Sequence, residues 1–222
     1  LEFIPYRQRD VTAVRDSMHH PYLAGHGFAG VRVDLRGSGD SEGVLADEYL
    51  ERELRDAEEL MAWLAAQPWC SGRTGMMGIS WGGFNALQVA ARRPPSLGAI
   101  ATVSFTDDRY ADDVHYMGGC LLTDNLSWAS TMLAYNAYPP DPETAGERWR
   151  EMWHERLRGS GLWLAEWLTG AMRLEPGMRV LDLGCGAGLL LVVPLGDPFL
   201  AVDGAQRAGT RAGATVQTLE GK

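Results

Sequence analysis

The sequence predicts an α/β fold: a mostly parallel sheet covered on both faces, then an insertion, then a change of character near the end. Three observations predict it. Apolar strands alternate with helices over residues 1–106, and a serine flanked by glycines stands at a strand-to-helix junction. All eight Trp and all seven Tyr fall between Tyr6 and Trp167, with none beyond.

The elements follow in order. Glu2 to Pro5 reads as a short buried strand entering a loop at Tyr6. Residues 16–26 form a short helix ending at Gly25 or Gly27, and Ala29 to Leu35 is an apolar strand closed by the glycine-rich turn Arg36 to Gly43. From Asp47 to Ala66, Leu50, Leu54, Ala57, Met61 and Leu64 recur at helical spacing. Charges at Glu51, Arg55, Asp56 and Glu58 fill the other side, so this is an amphipathic helix, and Pro68 ends it. Thr74 to Ile79 is a strand, Phe84 to Arg92 a helix stopped by Pro94 and Pro95, and Leu97 to Phe105 a further strand. Such alternation builds parallel sheets whose functional groups collect at the carboxyl ends of the strands. Residues 107–168 break the rhythm with an acidic cluster, a Gly118-Gly119 turn, Pro139-Pro140 and a Trp-rich helical pattern, as expected of a helical cap.

Composition narrows the function. The chain has 222 residues, is 45% hydrophobic and carries a net charge of −9. That charge leaves no basic stripe for nucleic acid. No apolar run is long enough to span a bilayer, and no basic-then-apolar leader opens the chain, so neither a membrane nor a signal peptide is expected. Cys70, Cys120 and Cys185 are scattered and odd in number, which fits a reducing, cytoplasmic setting better than a disulfide framework or a zinc site. Nothing opposes a homo-oligomer.

The serine turn carries the chemistry. Gly78-Ile79-Ser80-Trp81-Gly82 has the G-x-S-x-G form of the α/β-hydrolase nucleophile elbow, with a strand leading in and a helix leading out. Glycines on both flanks let neighbouring chain approach closely, and the sharp turn lifts the hydroxyl out of the sheet. Ser80 is then the acylating nucleophile, and the backbone N–H of Trp81 faces the oxyanion.

Three more segments resemble one group: Phe3-Ile4-Pro5-Tyr6-Arg7, Asp34-Leu35-Arg36-Gly37-Ser38-Gly39-Asp40-Ser41-Glu42-Gly43, and Ala65-Ala66-Gln67-Pro68-Trp69-Cys70. They are similar to the CocE/NonD hydrolases, which include X-prolyl dipeptidyl-peptidases of the S15 type, cocaine esterase and the α-amino-acid ester hydrolases. The resemblance covers residues 1 to about 168. It implies that Tyr6 supplies a phenolic O–H to the oxyanion hole beside Trp81, that no cofactor is needed, and that the substrate is a small ester, amide or aminoacyl compound. Asp34 and Arg36 are expected to pair and hold their turn, with no catalytic part.

Thr106 to Asp113 places four carboxylates just after the strand ending at Phe105. Like charges this close are costly unless compensated. An exposed acidic loop is one reading; the other, which the resemblance to the ester hydrolases favours, has Asp112 or Asp113 holding the α-ammonium of an aminoacyl substrate.

A serine hydroxyl needs a general base and that base an orienting carboxylate. The histidines after Ser80 are His115 and His154, both in the insertion and neither in the family's sequence context. His19, His20 and His26 precede the serine. No base is assigned, and the chain by itself is expected to be inactive or very weak.

Residues 174–188, Leu-Glu-Pro-Gly-Met-Arg-Val-Leu-Asp-Leu-Gly-Cys-Gly-Ala-Gly, resemble the first motif of class I S-adenosylmethionine-dependent methyltransferases. Asp182, Gly184, Gly186 and Gly188 would approach the cofactor, and Asp203, 21 positions after Asp182, would grip its ribose. The expected organisation is therefore a partial, incomplete α/β-hydrolase sheet over 1–106 and a helical cap over 107–168. A methyltransferase-like fragment over 169–222 follows, with a partial Rossmann-like βαβ segment that binds S-adenosylmethionine only if it is functional. About fifty residues are too few to make a methyltransferase of that segment.

Overall fold

The computed structural model describes residues 1–159 and the two short strands 189–192 and 200–203. Four strands and three helices alternate at the start: β1 (Glu2–Ile4), α1 (Ala13–Gly25), β2 (Arg32–Asp34), α2 (Glu51–Ala65), β3 (Thr74–Ile79), α3 (Trp81–Arg92) and β4 (Leu97–Val103). β1 runs parallel to β2, and β3 parallel to β4.

Leu1 joins the two pairs. Its N-terminal amine donates to the Gly75 carbonyl at 2.8 Å, and its carbonyl accepts from the Met77 N–H at 3.0 Å. One residue bonded to both neighbours of Met76 is the parallel ladder pattern. The order across the sheet is thus β2-β1-β3-β4. The chain winds one way from β1 to β2 and the other way from β3 to β4. The reversal lies between β1 and β3, and the crevice at the carboxyl ends of strands flanking such a switch point is where ligands bind in open α/β sheets.

The core explains why these segments take these forms. Phe3, Leu35, Met76, Trp81, Ala86 and Val89 pack together with Ala57 and Met61 of α2. The buried face of α2 reads Glu53, Ala57, Met61, Leu64, an i, i+4, i+8, i+11 stripe that includes one charge. α1 buries no residue and carries Pro21 inside it.

After β4 come the hairpin β5 (Tyr116–Met117) and β6 (Cys120–Leu121), then α4 (Asp124–Ala137), α5 (Pro142–Ala145) and a short 3-10 turn. A sixth helix, α6, occupies residues 149–159 as described. Met132 of α4 reaches the main core. Arg156 of α6 is buried and donates to the carbonyls of Gly39 (2.7 Å) and Ser41, which fastens this region to the glycine-rich turn after β2. His154 is exposed.

Two expectations are corrected. Asp34 pairs with Arg32, at 3.0 Å, because alternate residues of a strand share a face; Arg36, beyond the strand end, turns to Asp56 of α2 at 2.7 Å. In the last segment, β7 (Leu189–Val192) is a strand where a crossover helix was expected, and it pairs antiparallel with β8 (Leu200–Asp203). The strand and glycine loop that would complete the expected βαβ unit lie outside the described residues. Asp203 ends β8, while Asp182, Gly184, Gly186 and Gly188 lie outside the described residues.

Candidate active site

Ser80 stands between β3 and α3 with φ 54° and ψ −116°, a backbone region that side-chain-bearing residues rarely occupy. The surroundings hold it there. Its N–H donates to the Val103 carbonyl at 3.0 Å, and its carbonyl accepts from the N–H groups of Gly83 (2.8 Å) and Phe84 (3.0 Å), starting α3. The two glycines stand there for a steric reason, backbone at Gly78 and a side-chain methyl at Gly82. A Cβ on Gly78 would sit 2.5 Å from the Gly82 backbone, and one on Gly82 would sit 2.8 Å from the Ile4 side chain.

Trp81 is the first residue of α3, where a helix leaves its N–H groups without intrahelical acceptors. Its indole is buried, and Nε1 donates to Glu53 Oε1 of α2 at 2.7 Å. Tyr6 follows β1 on the other side of the switch point. Its phenolic oxygen is buried and makes no well-formed hydrogen bond. Burial is the main cause of its raised pKa, opposed by the neighbouring Ser80 hydroxyl and Trp81 backbone N–H, while the Glu48 charge adds to the rise. The phenol therefore stays an O–H donor at physiological pH. A phenolic O–H and a helix-start N–H gathered beside the serine hydroxyl can receive developing negative charge on an oxygen.

Behind Tyr6 lies a buried network that sequence reasoning missed. Glu48 accepts from Arg109 at 3.2 Å and from the Trp128 indole at 3.3 Å, and His115 Nε2 lies 3.9 Å away. The Trp128 ring meets Tyr6 edge-on, with centroids 5.9 Å apart. Burial raises the pKa of Glu48, against the pull of His115 and Arg109. Arg109 also donates to Asp113 at 2.6 Å and lies over the Tyr49 and Phe84 rings, 5.1 Å from each centroid.

The acidic cluster thus divides. Asp113 is buried and committed to Arg109 and the Val114 N–H, so it reaches the site only through the arginine. Asp108 accepts from the N–H groups of Tyr110 and Ala111 and shapes the turn. Asp112 is exposed and bridges to Met117.

Elsewhere among the described residues, Glu2, Asp16 and His20 come within metal-ligand spacing. Arg15 pairs with Glu2 and with Asp16, both at 2.7 Å, and Arg32 lies 3.8 and 3.5 Å from the same two carboxylates, so cationic side chains already face them. A cavity of about 330 Å³ is lined by Leu35, Arg36, Leu45, Leu50, Glu53 and Asp56, and not by Ser80 or Tyr6. No helix among the described residues is long and apolar enough to cross a membrane.

The chain is similar in sequence to several known proteins. The chain is 37% identical over 93 residues to a putative serine esterase of Mycobacterium bovis, a match covering 42% of this chain and 15% of that one. It is 33% identical over 128 residues to the cocaine esterase of a Rhodococcus species, covering 57% of this chain and 22% of that one. A putative Xaa-Pro dipeptidyl-peptidase of Streptomyces avermitilis is 31% identical over 119 residues, covering 47% and 17%. A solved CocE/NonD family hydrolase from Staphylococcus aureus is 31% identical, with a TM-score of 0.38 over 46% of this chain and 18% of that one. The matches span less than a quarter of each of these proteins. The family profile described as X-Pro dipeptidyl-peptidase (S15 family) matches residues 1–175, and the chain belongs to that family of serine hydrolases.

Proposed function

We propose that the chain carries the nucleophile and oxyanion site of a serine hydrolase that cleaves ester or peptide bonds through an acyl-enzyme. Ser80 Oγ attacks the substrate carbonyl. The oxygen that gains charge is received by the Tyr6 O–H and the Trp81 N–H, the carbonyl collapses with loss of the alcohol or amine, and water releases the acyl group from Ser80. The observation that carries this reading is the convergence of a strained Ser80 with the buried Tyr6 phenol and the Trp81 N–H at the switch point.

The proton of Ser80 must pass to a base, and none is assigned. His115 has Asn125 at Nδ1 and Glu48 near Nε2. The reading therefore includes slow acylation of the chain by itself. For an aminoacyl substrate, Asp112 is the carboxylate left to meet an α-ammonium, since Asp113 is neutralised by Arg109. The test is incubation with an activated aryl ester followed by peptide mass mapping. An acyl group on Ser80, absent from Ser80→Ala, supports the reading; acylation spread over surface lysines with Ser80 untouched refutes it.

A further inference from the structure

In the first turn of α3 the side chains that can pin it are Trp81 and Phe84, and Trp81 is the one next to Ser80. Gly82 and Gly83 let neighbouring chain approach closely, a Cβ on them meeting Ile4 at 2.8 Å and the Val103 carbonyl at 3.0 Å, but they carry no side chain to hold the turn. The strain at Ser80, on the order of 1–3 kcal/mol, persists only where surrounding contacts over-determine it. What over-determines it on this side is Glu53. Its Oε1 accepts the Trp81 indole N–H at 2.7 Å, and its Oε2 accepts the Tyr49 N–H at 2.9 Å. Tyr49 in turn packs on the indole, with ring centroids 5.2 Å apart.

A carboxylate is an expensive choice at this position. It lies on the apolar stripe of α2, where a leucine would pack without desolvating a charge. A leucine would also leave the buried indole N–H unpaired, and hydrogen bonds in a low-dielectric interior hold geometry more stiffly than apolar contact does. We propose that Glu53 is a positioning residue for the reaction: by gripping the Trp81 indole it keeps the Trp81 backbone N–H aimed at the oxyanion position beside Ser80. This rests on Trp81 being an oxyanion donor, and the test separates the two claims.

The test uses the full chain and its Glu53→Gln, Glu53→Leu, Trp81→Phe and Glu53→Leu/Trp81→Phe variants. Two quantities are read: amide hydrogen exchange at residue 81 by ¹⁵N NMR, and the rate at which a fluorophosphonate labels Ser80. Exchange at residue 81 should quicken at least about tenfold in Glu53→Leu and in Trp81→Phe, while the β3 amides keep their protection. Labelling should slow by about tenfold in both, the double variant should be no slower than the slower single one, and Glu53→Gln, which keeps an oxygen acceptor, should stay within about threefold. Parent-like exchange at residue 81 in Trp81→Phe, or losses that simply add in the double variant, would overturn the proposal. Should Glu53→Leu not fold, Trp81→Phe, which removes the indole N–H and trims the ring, is read against Glu53→Gln and decides. A parent chain that never labels at Ser80 would refute the nucleophile reading, while residue 81 exchange would still judge Glu53.

Discussion

Asn125 fixes the tautomer of His115. Its Nδ2 donates to the carbonyls of His115 (2.9 Å) and Leu122 (2.8 Å), so the atom facing His115 Nδ1 at 2.6 Å must be its oxygen. The hydrogen-bond network therefore assigns the proton to Nδ1 and turns Nε2 toward Glu48. Long-range ¹H–¹⁵N spectra of the imidazole should show the Nδ1–H form. Asn125→Ala should lose that preference and destabilise the fold by about 1–2 kcal/mol, since buried His115 Nδ1 loses its Asn125 partner while the two carbonyls keep backbone donors. A parent spectrum dominated by Nε2–H would contradict the assignment.

Glu53 links stability to pH. Burial pushes its carboxyl up to about 7, against the hydrogen bonds from Trp81, Asn85 and Tyr49, from an ordinary value of 4.5. The folded state keeps the proton where the unfolded state has lost it. Its contribution is complete below pH 4.5 and is lost as pH rises to about 7, on the order of 3 kcal/mol in all. Urea unfolding at pH 5 and pH 8 should show the parent losing more stability than Glu53→Gln over that interval. Equal losses in the two proteins would show that Glu53 ionises normally.

The elbow glycines should differ in tolerance. Gly78→Ala drives a Cβ to 2.5 Å from backbone atoms of Gly82, which cannot rotate away. Gly82→Ala meets only a methyl of Ile4, at 2.8 Å. The first should cost about 3 kcal/mol or more and the second about 1–2 kcal/mol. Thermal unfolding that ranks them the other way would mean that the close contact lies elsewhere.

Arg109 separates the structural acids from the exposed one. Arg109→Ala strips the partner from buried Glu48 and Asp113 and should cost about 2–4 kcal/mol, while Arg109→Lys recovers only part because it loses the fork and the ring contacts. Asp112→Asn should change stability by less than about 0.5 kcal/mol and weaken only substrates bearing an α-ammonium. A large stability loss in Asp112→Asn would contradict its surface role.

Much of the fold was legible because periodicity and breakers are local. The strand 74–79 matches its expected span, and the other early elements shift by a few residues at their ends. The site was legible where a turn has steric demands, as at Gly78, Ser80 and Gly82. Glu48, Arg109 and Trp128 were not, since their network joins α4 to residues about eighty positions earlier. Glu53 left a signal that was passed over: a charge spaced four and eight positions before Ala57 and Met61 on an apolar stripe. The pairing of Asp34 was misjudged because Arg32 and Arg36 both lie two residues from it, and only Arg32 lies within the strand that puts alternate residues on one face.

The central claim is that Ser80 is the reactive serine of this chain and that Tyr6 and Trp81 receive the oxyanion. Fluorophosphonate labelling with peptide mapping tests it most directly. The account predicts slow modification confined to Ser80, absent in Ser80→Ala and slowed about a hundredfold by Tyr6→Phe with the fold intact. Label on another serine, or equal rates for Tyr6→Phe and the parent, would contradict it.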